Sequence, residues 1–168
     1  MANYNSFNKA KNFGNIGEAA VQQLLIDNGF EVLDTSENER YFDCGDILAV
    51  KPDGTNFFIE VKTDSAAAHT GNLVIELVTN KAYDKDGWFR TSKADKFAFY
   101  LIETNEVILI DAAELRENYI SAMNAIKTTI QYECGYIEKE GVIALISIDK
   151  LTKLSSFRRI QLNGGIKQ

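Results

Sequence analysis

Two short apolar runs, Asp46-Ile-Leu-Ala-Val50 and Asn56-Phe-Phe-Ile-Glu-Val-Lys-Thr63, stand on either side of Pro52-Asp53-Gly54 and read as two strands of a hairpin. Side chains alternate faces along a strand, so Glu60 and Lys62 project on one side and Phe57, Ile59 and Val61 on the other. An acid and a lysine on an otherwise apolar strand are costly to bury unless they pair or bind something. A three-residue loop with Gly54 in the left-handed region pairs Lys51 with Thr55. Counting outward, Val50 faces Asn56, Leu48 faces Phe58, and Asp46 faces Glu60. Directly opposed residues have Cβ atoms about 4.5–5.5 Å apart. Two carboxylates that close repel, and a cation or a shared proton relieves them. With Lys62 alongside and no histidine or cysteine cluster near, hard oxygen ligation of Mg²⁺, with Mn²⁺ as a substitute, is the natural reading. The plain structural alternative is a cross-strand salt bridge.

The rest of the chain places this hairpin in an α/β arrangement. Asn12 to Asn28 reads as an amphipathic helix, with Phe13, Ile16, Ala20, Val21, Leu24 and Leu25 at helical spacing and Gly29 as its stop. Phe30 to Leu33 reads as a short strand, followed by an acidic, irregular stretch to Cys44-Gly45. After the hairpin come a polar loop, a strand from Leu73 to Val78, and a polar segment 80–95 with a short helical turn. Strands Phe97–Ile102 and Val107–Ile110 flank Thr104-Asn105. Asp111 is placed to cap a helix from Ala112 to about Ile126. A strand-rich stretch from Ile130 to Ile148, a short helix near Asp149 to Leu154 and a polar tail complete it. The order suggests one sheet with helices against it, in a single domain over 1–168, with the motif core at 13–80 and a basic segment at 150–168.

Charge distribution bears on partners. The net charge of −6 argues against a globally basic nucleic-acid surface. Residues 31–46 hold six acids against Arg40, whereas 150–168 hold five bases and no acid. Lys150, Lys153, Arg158 and Arg159 are therefore candidate phosphate contacts, although a charge run is also ordinary solvated surface. No apolar run approaches the roughly 20 residues of a membrane-spanning helix, and the first twenty residues lack a signal peptide's apolar core. A cytoplasmic location is expected, with Cys44 and Cys134 as free thiols.

Gly45-Asp46-Ile47, then thirteen residues between Asp46 and Glu60, then Glu60-Val61-Lys62, resemble the signature of the PD-(D/E)XK nucleases. Gly45 stands where that family usually has proline. Gly17-Glu18 on the upstream helix resembles the additional glutamate of Holliday junction resolvases and related nucleases. Gly71-Asn72 to Glu76, Gly87-Trp88 and Ser92-Lys93-Ala94-Asp95 resemble phage-type members. The resemblance covers roughly the first half of the chain. It implies a restriction-endonuclease-like mixed β-sheet flanked by helices and hydrolysis of DNA, including branched, junction-like DNA in recombination or repair. It implies metal ligation by Asp46, Glu60, the Val61 carbonyl and Glu18, with Lys62 orienting the attacking water. Such nucleases often work as homodimers, and Phe97, Phe99, Tyr100, Tyr132, Tyr136 and Ile137 are apolar residues that either supply an interface or fill the core.

Other residues carry two readings each. Glu18 lies on the helical row of Val21 and Leu25, at the margin of the apolar face, and is a site-facing or a capping acid. Asp43 competes with Asp46 as a ligand. Glu76 is a site residue or an edge-strand acid, and Lys93 is a candidate DNA contact. Trp88 stacks on a base or anchors a loop. His69 sits in a polar loop, and Cys44 has no histidine partner for thiol catalysis. The alternatives to a nuclease are a catalytically silent binding module of the same fold, and an acidic inhibitor of a DNA-binding protein.

Overall fold

The computed structural model describes residues 2–36, 38–41, 43–133 and 136–163. From the N-terminus, helix α1 (Ala2–Asp27) leads to β1 (Glu31–Asp34), and a short 3-10 turn at Glu39–Tyr41 precedes the hairpin β2 (Ile47–Val50) and β3 (Asn56–Asp64). Next come α2 (Ala67–Thr70), β4 (Asn72–Asn80), a 3-10 turn at Lys81–Tyr83, β5 (Lys85–Asp86) and α3 (Trp88–Thr91). Strands β6 (Lys96–Leu101) and β7 (Glu106–Asp111) are followed by α4 (Ala112–Ala122), β8 (Met123–Glu133), β9 (Tyr136–Ser147), α5 (Ile148–Leu151) and β10 (Arg158–Gln161).

The hairpin has the expected register. Val50 pairs with Asn56 and Leu48 with Phe58, and Lys51 N–H donates to Thr55 O at 2.8 Å. Gly54 has φ 85°, the left-handed conformation that this loop requires. β3 then runs parallel to β6, which makes the sheet mixed.

Among the described residues the strands form two sheets rather than the single sheet expected. The six-stranded sheet has the order β1-β2-β3-β6-β7-β10, and the four-stranded antiparallel sheet the order β5-β4-β9-β8. One face of the six-stranded sheet packs Ile47, Ala49, Ile59, Val61 and Ala98 against Ala20, Val21 and Leu25 of α1. Its other face gives Phe97, Phe99, Ile108 and Ile110 to a larger core shared with Leu73, Ile75, Ala144 and Ile146 of the second sheet. Phe97, Phe99 and Tyr100 are therefore core residues and leave no surface for a partner. Ile137 is exposed, and the side chains of Tyr132 and Tyr136 lie outside the described residues, as does Cys134.

Three element boundaries also differ. α1 begins about ten residues earlier than the apolar spacing suggested. α4 stops at Ala122, and the segment expected to continue it to Ile126 is instead the start of β8, where Ile126, Thr128, Thr129 and Ile130 favour a strand. The polar tail contains β10, which completes the sheet beside β7.

One carboxylate ties α4 to the approach to β10. Glu114 Oε1 accepts from Ser155 N–H at 2.8 Å and Ser155 Oγ at 2.9 Å, and Oε2 accepts from Ser156 N–H at 2.8 Å and from the Ser156 hydroxyl. These donors, the Ser156 hydroxyl first, hold the Glu114 pKa down to about 2 from an ordinary 4.5. A folded-state pKa below the unfolded one stabilises the protein above about pH 4.5, and the contribution is lost as pH falls through 2. Glu114→Gln should thus flatten the acid limb of stability between pH 4.5 and 2, read as urea midpoints across that range. An unchanged slope would contradict this account of the tie.

Candidate active site

Asp46 lies one residue before the last pair of the β2–β3 ladder and extends it. Its N–H donates to Ile59 O at 2.9 Å, and its Oδ2 accepts from Val61 N–H at 2.7 Å. A side chain thus takes over where β2 runs out of backbone. Gly45 makes this crossing feasible. Its φ is 134°, and an added Cβ would lie 2.8 Å from Ile59 O. That φ is closed to proline, which is fixed near −65°, so the glycine in the position before the first acid follows from the backbone.

Glu60, on the neighbouring strand, is held at both oxygens. Lys62 Nζ donates to Oε1 at 2.6 Å, and Ser92 Oγ donates to Oε2 at 2.9 Å. Lys62 Nζ also stands 5.0 Å from the centroid of the Trp88 ring. Ser92 and Trp88 both belong to the α3 turn. That turn is fastened in turn by Arg116 of α4, whose Nε donates to Phe89 O at 3.1 Å and Nη2 to Ser92 O at 2.5 Å.

Electrostatics binds the group together. Burial, then the charge of Glu60, raise the Asp46 pKa against the opposing pull of Lys62 and the Val61 N–H. Burial alone would lower the Lys62 pKa, but the charges of Glu60, Asp46 and Glu18 and the hydrogen bond to Glu60 outweigh it and raise it. Glu18 reaches the same neighbourhood from α1, which is docked on β3 by Thr63 Oγ1 donating to Gly14 O at 3.4 Å. Its pKa is raised by burial and by the charges of Asp46 and Asp34. Glu18 also lines a polar cleft of about 450 Å³ with Asn15, Gln22, Asp34, Ser36 and Asn38.

Among the described residues, no three aspartate, glutamate, histidine or cysteine side chains converge closely enough to form a ready-made metal cluster. Asp46 and Glu60 offer two carboxylates instead, with Asp46 Oδ2 accepting from the Val61 N–H. Mg²⁺ is commonly held by only one or two carboxylates together with substrate phosphates and water. The donor set therefore fits Mg²⁺ chemistry.

The remaining candidates are dispersed. Asp43 is ion-paired with Lys93, and Lys93 N–H donates to Asp43 O at 2.5 Å, so each is the other's partner. Glu76 sits on β4 of the second sheet, a strand flanked by β5 and β9, and accepts from Thr79 Oγ1 at 2.7 Å. Trp88 is half-buried, with its ring 5.3 Å from that of Phe97. His69 is exposed at the end of α2, and Cys44 is a free thiol. Lys150 Nζ donates to Met123 O at 3.3 Å, and Lys153 is exposed. Arg158 Nη1 donates to Ser155 O and Phe157 O, at 2.9 and 2.8 Å. Arg159 forms a two-bond pair with Glu106 at 2.9 and 2.8 Å. β10, which carries both arginines, lies three strand positions from β3, or about 14 Å.

Sequence reasoning missed Ser92 and the role of Arg116. Ser92 lies 32 positions from Glu60, in a turn without periodicity, and only its place beside Lys93-Ala94-Asp95 hinted at it. Ser92→Ala should lower stability by about 1.5 kcal/mol, the worth of one neutral hydrogen bond to a charged group. Ser92→Thr should restore it, and an unchanged urea midpoint in Ser92→Ala would show that Glu60 needs no such support.

No protein-family model matches the chain, and neither does any curated protein. Among solved structures, the chain is similar to a bacterial homing endonuclease, I-Ssp6803I, with a TM-score of 0.50 and 18% identity, covering 86% of this chain and 82% of that one. The similarity is one of fold. In addition, no helix among the described residues is long and apolar enough to cross a membrane.

Proposed function

We propose that this protein is a metal-dependent endodeoxyribonuclease of the PD-(D/E)XK type, with Asp46, Glu60 and Lys62 as its reactive group. The observation that carries the reading is a pair of acids, Asp46 just before β2 and Glu60 on β3, that feel each other's charge, with a lysine bonded to one of them. The shared fold with a homing endonuclease supports it.

Asp46 and Glu60 would hold Mg²⁺, with the Val61 carbonyl and Glu18 as further oxygen donors. When bound, the ion would polarise the scissile phosphate and lower the pKa of a coordinated water. The chain's own groups do the rest. Lys62 orients the attacking water and offsets charge on the phosphate, while Ser92 and Trp88 keep the Glu60–Lys62 pair in place. Lys150, Lys153 and Arg158 contact phosphates away from the cut, whereas Arg159 is neutralised by Glu106 and Lys93 by Asp43. One site cuts one strand, so matched cuts in a duplex or a branched junction need two chains related by a two-fold axis.

Incubation with linear, flapped and four-way-junction DNA in Mg²⁺, Mn²⁺ or EDTA tests the reading. Cleavage in either metal and none in EDTA is expected, with the branched substrate cut fastest. Equal cleavage in EDTA, or none of any substrate, would overturn it.

A further inference from the structure

We propose that Trp88 is a positioning residue for Lys62: the ammonium leaves Glu60 when that carboxylate takes a cation, and the indole ring retains it beside the site. This rests on the metal-dependent reading above and names the group that keeps the lysine in place once its carboxylate is engaged.

Both oxygens of Glu60 are in use. Lys62 Nζ donates to Oε1 at 2.6 Å and Ser92 Oγ to Oε2 at 2.9 Å. A divalent cation on Glu60 would share the carboxylate with these two groups. The Ser92 hydroxyl is neutral, and its turn is held by Arg116, which donates to Phe89 O and Ser92 O. The Lys62 ammonium is charged and ends a flexible four-carbon stem. Two cations on one carboxylate in a partly enclosed site repel strongly, so the lysine is the group that yields.

Its destination is set by what already surrounds it. The charges that attract Lys62 come from Glu60, Asp46 and Glu18, the same acids that a cation would draw on. The remaining neighbour is the ring of Trp88, whose centroid lies 5.0 Å from Nζ. Tryptophan is the aromatic side chain that attracts an ammonium best. The ring is itself wedged against two buried phenylalanines, at 5.3 Å and 82° to Phe97 and at 6.0 Å and 87° to Phe89. The indole therefore stays in place while the lysine moves. A single turn serves both members of the pair, Ser92 holding Glu60 and Trp88 holding Lys62.

The test uses the full chain, which has one tryptophan, and Mg²⁺ alone as the probe. Trp88 emission should shift as Mg²⁺ is added, with the midpoint of a calorimetric titration, and the shift should be absent in Lys62→Met. Trp88→Leu should weaken Mg²⁺ binding about fivefold, the size of one partly desolvated cation–π contact, and Trp88→Phe should weaken it less. In a Lys62→Met background Trp88→Leu should leave Mg²⁺ affinity unchanged, since no ammonium is left to hold. No weakening in Trp88→Leu, or equal weakening in both backgrounds, would overturn the proposal. So would Mg²⁺ binding by the wild type without any change in Trp88 emission, a result that needs no substitution at Trp88. Each of these leaves the metal centre standing. A wild-type chain that binds no Mg²⁺ would overturn the metal-dependent reading and this proposal with it.

Discussion

Asp46→Asn should abolish DNA cleavage and at the same time raise the melting temperature. The two effects share one cause. Asp46 is partly buried beside Glu60, and its raised pKa means that the ionised form is disfavoured by the fold at neutral pH. Asparagine keeps an oxygen for the Val61 N–H that Asp46 Oδ2 now accepts at 2.7 Å, but removes the charge. Cleavage should fall by at least about 10³-fold, as when a principal electrostatic contact to the reacting phosphate is lost. Stability should rise, at about 2–4 °C for each kcal/mol relieved in a chain of this size. A variant less stable than wild type would mean that the carboxylate is a structural bond. Full activity in Asp46→Asn would remove it from the site.

Gly45→Ala should damage the protein as badly by another route. At φ 134° any side chain is strained, and the new Cβ would stand 2.8 Å from Ile59 O and 2.9 Å from Ile59 C. Both are backbone atoms of β3, pinned by Asp46 N–H on one side of the ladder. Relief requires β2 to move away from β3 where Asp46 meets Glu60. A loss of about 3 kcal/mol or more is expected, combining backbone strain with the clash, together with loss of cleavage. Gly54→Ala is the control. It has φ 85° but nothing within 4 Å of the added atom, so it should cost about 1–2 kcal/mol and leave cleavage unchanged. Chemical denaturation of the two variants side by side separates clash from strain. Equal losses would show that the approach of Gly45 to Ile59 is not what constrains the site.

The hairpin was legible from sequence because short-range rules fix it. Turn chemistry at Pro52-Asp53-Gly54 sets the register, and alternation along Asn56–Asp64 sets the faces, so Asp46 falls beside Glu60 without any long-range information. Glu18 was legible for a similar reason: helical spacing puts it on the margin of the face that α1 buries. Long-range pairing was less accessible. β10 reads as a polar tail because an edge strand buries little, and Arg159 is neutralised by Glu106, 53 positions away. The second sheet was hidden by α4, whose helical spacing runs into β8 with no glycine or proline to mark the change at Met123. Ser92 and Arg116 act through hydrogen bonds to a distant carboxylate and to carbonyl groups, which leave no pattern along the chain.

The measurement that bears most directly on Asp46 and Glu60 as a metal centre is calorimetric titration of Mg²⁺, and of Mn²⁺ in parallel, into the wild-type chain and into Glu60→Gln. It needs no knowledge of the DNA substrate. Glu60 is the acid held in place by Lys62 and Ser92, so replacing it removes one carboxylate and leaves its supports. The expected result is metal binding by the wild type that weakens at least about tenfold in the variant. Equal binding by both chains, with cleavage retained in Glu60→Gln, would contradict it.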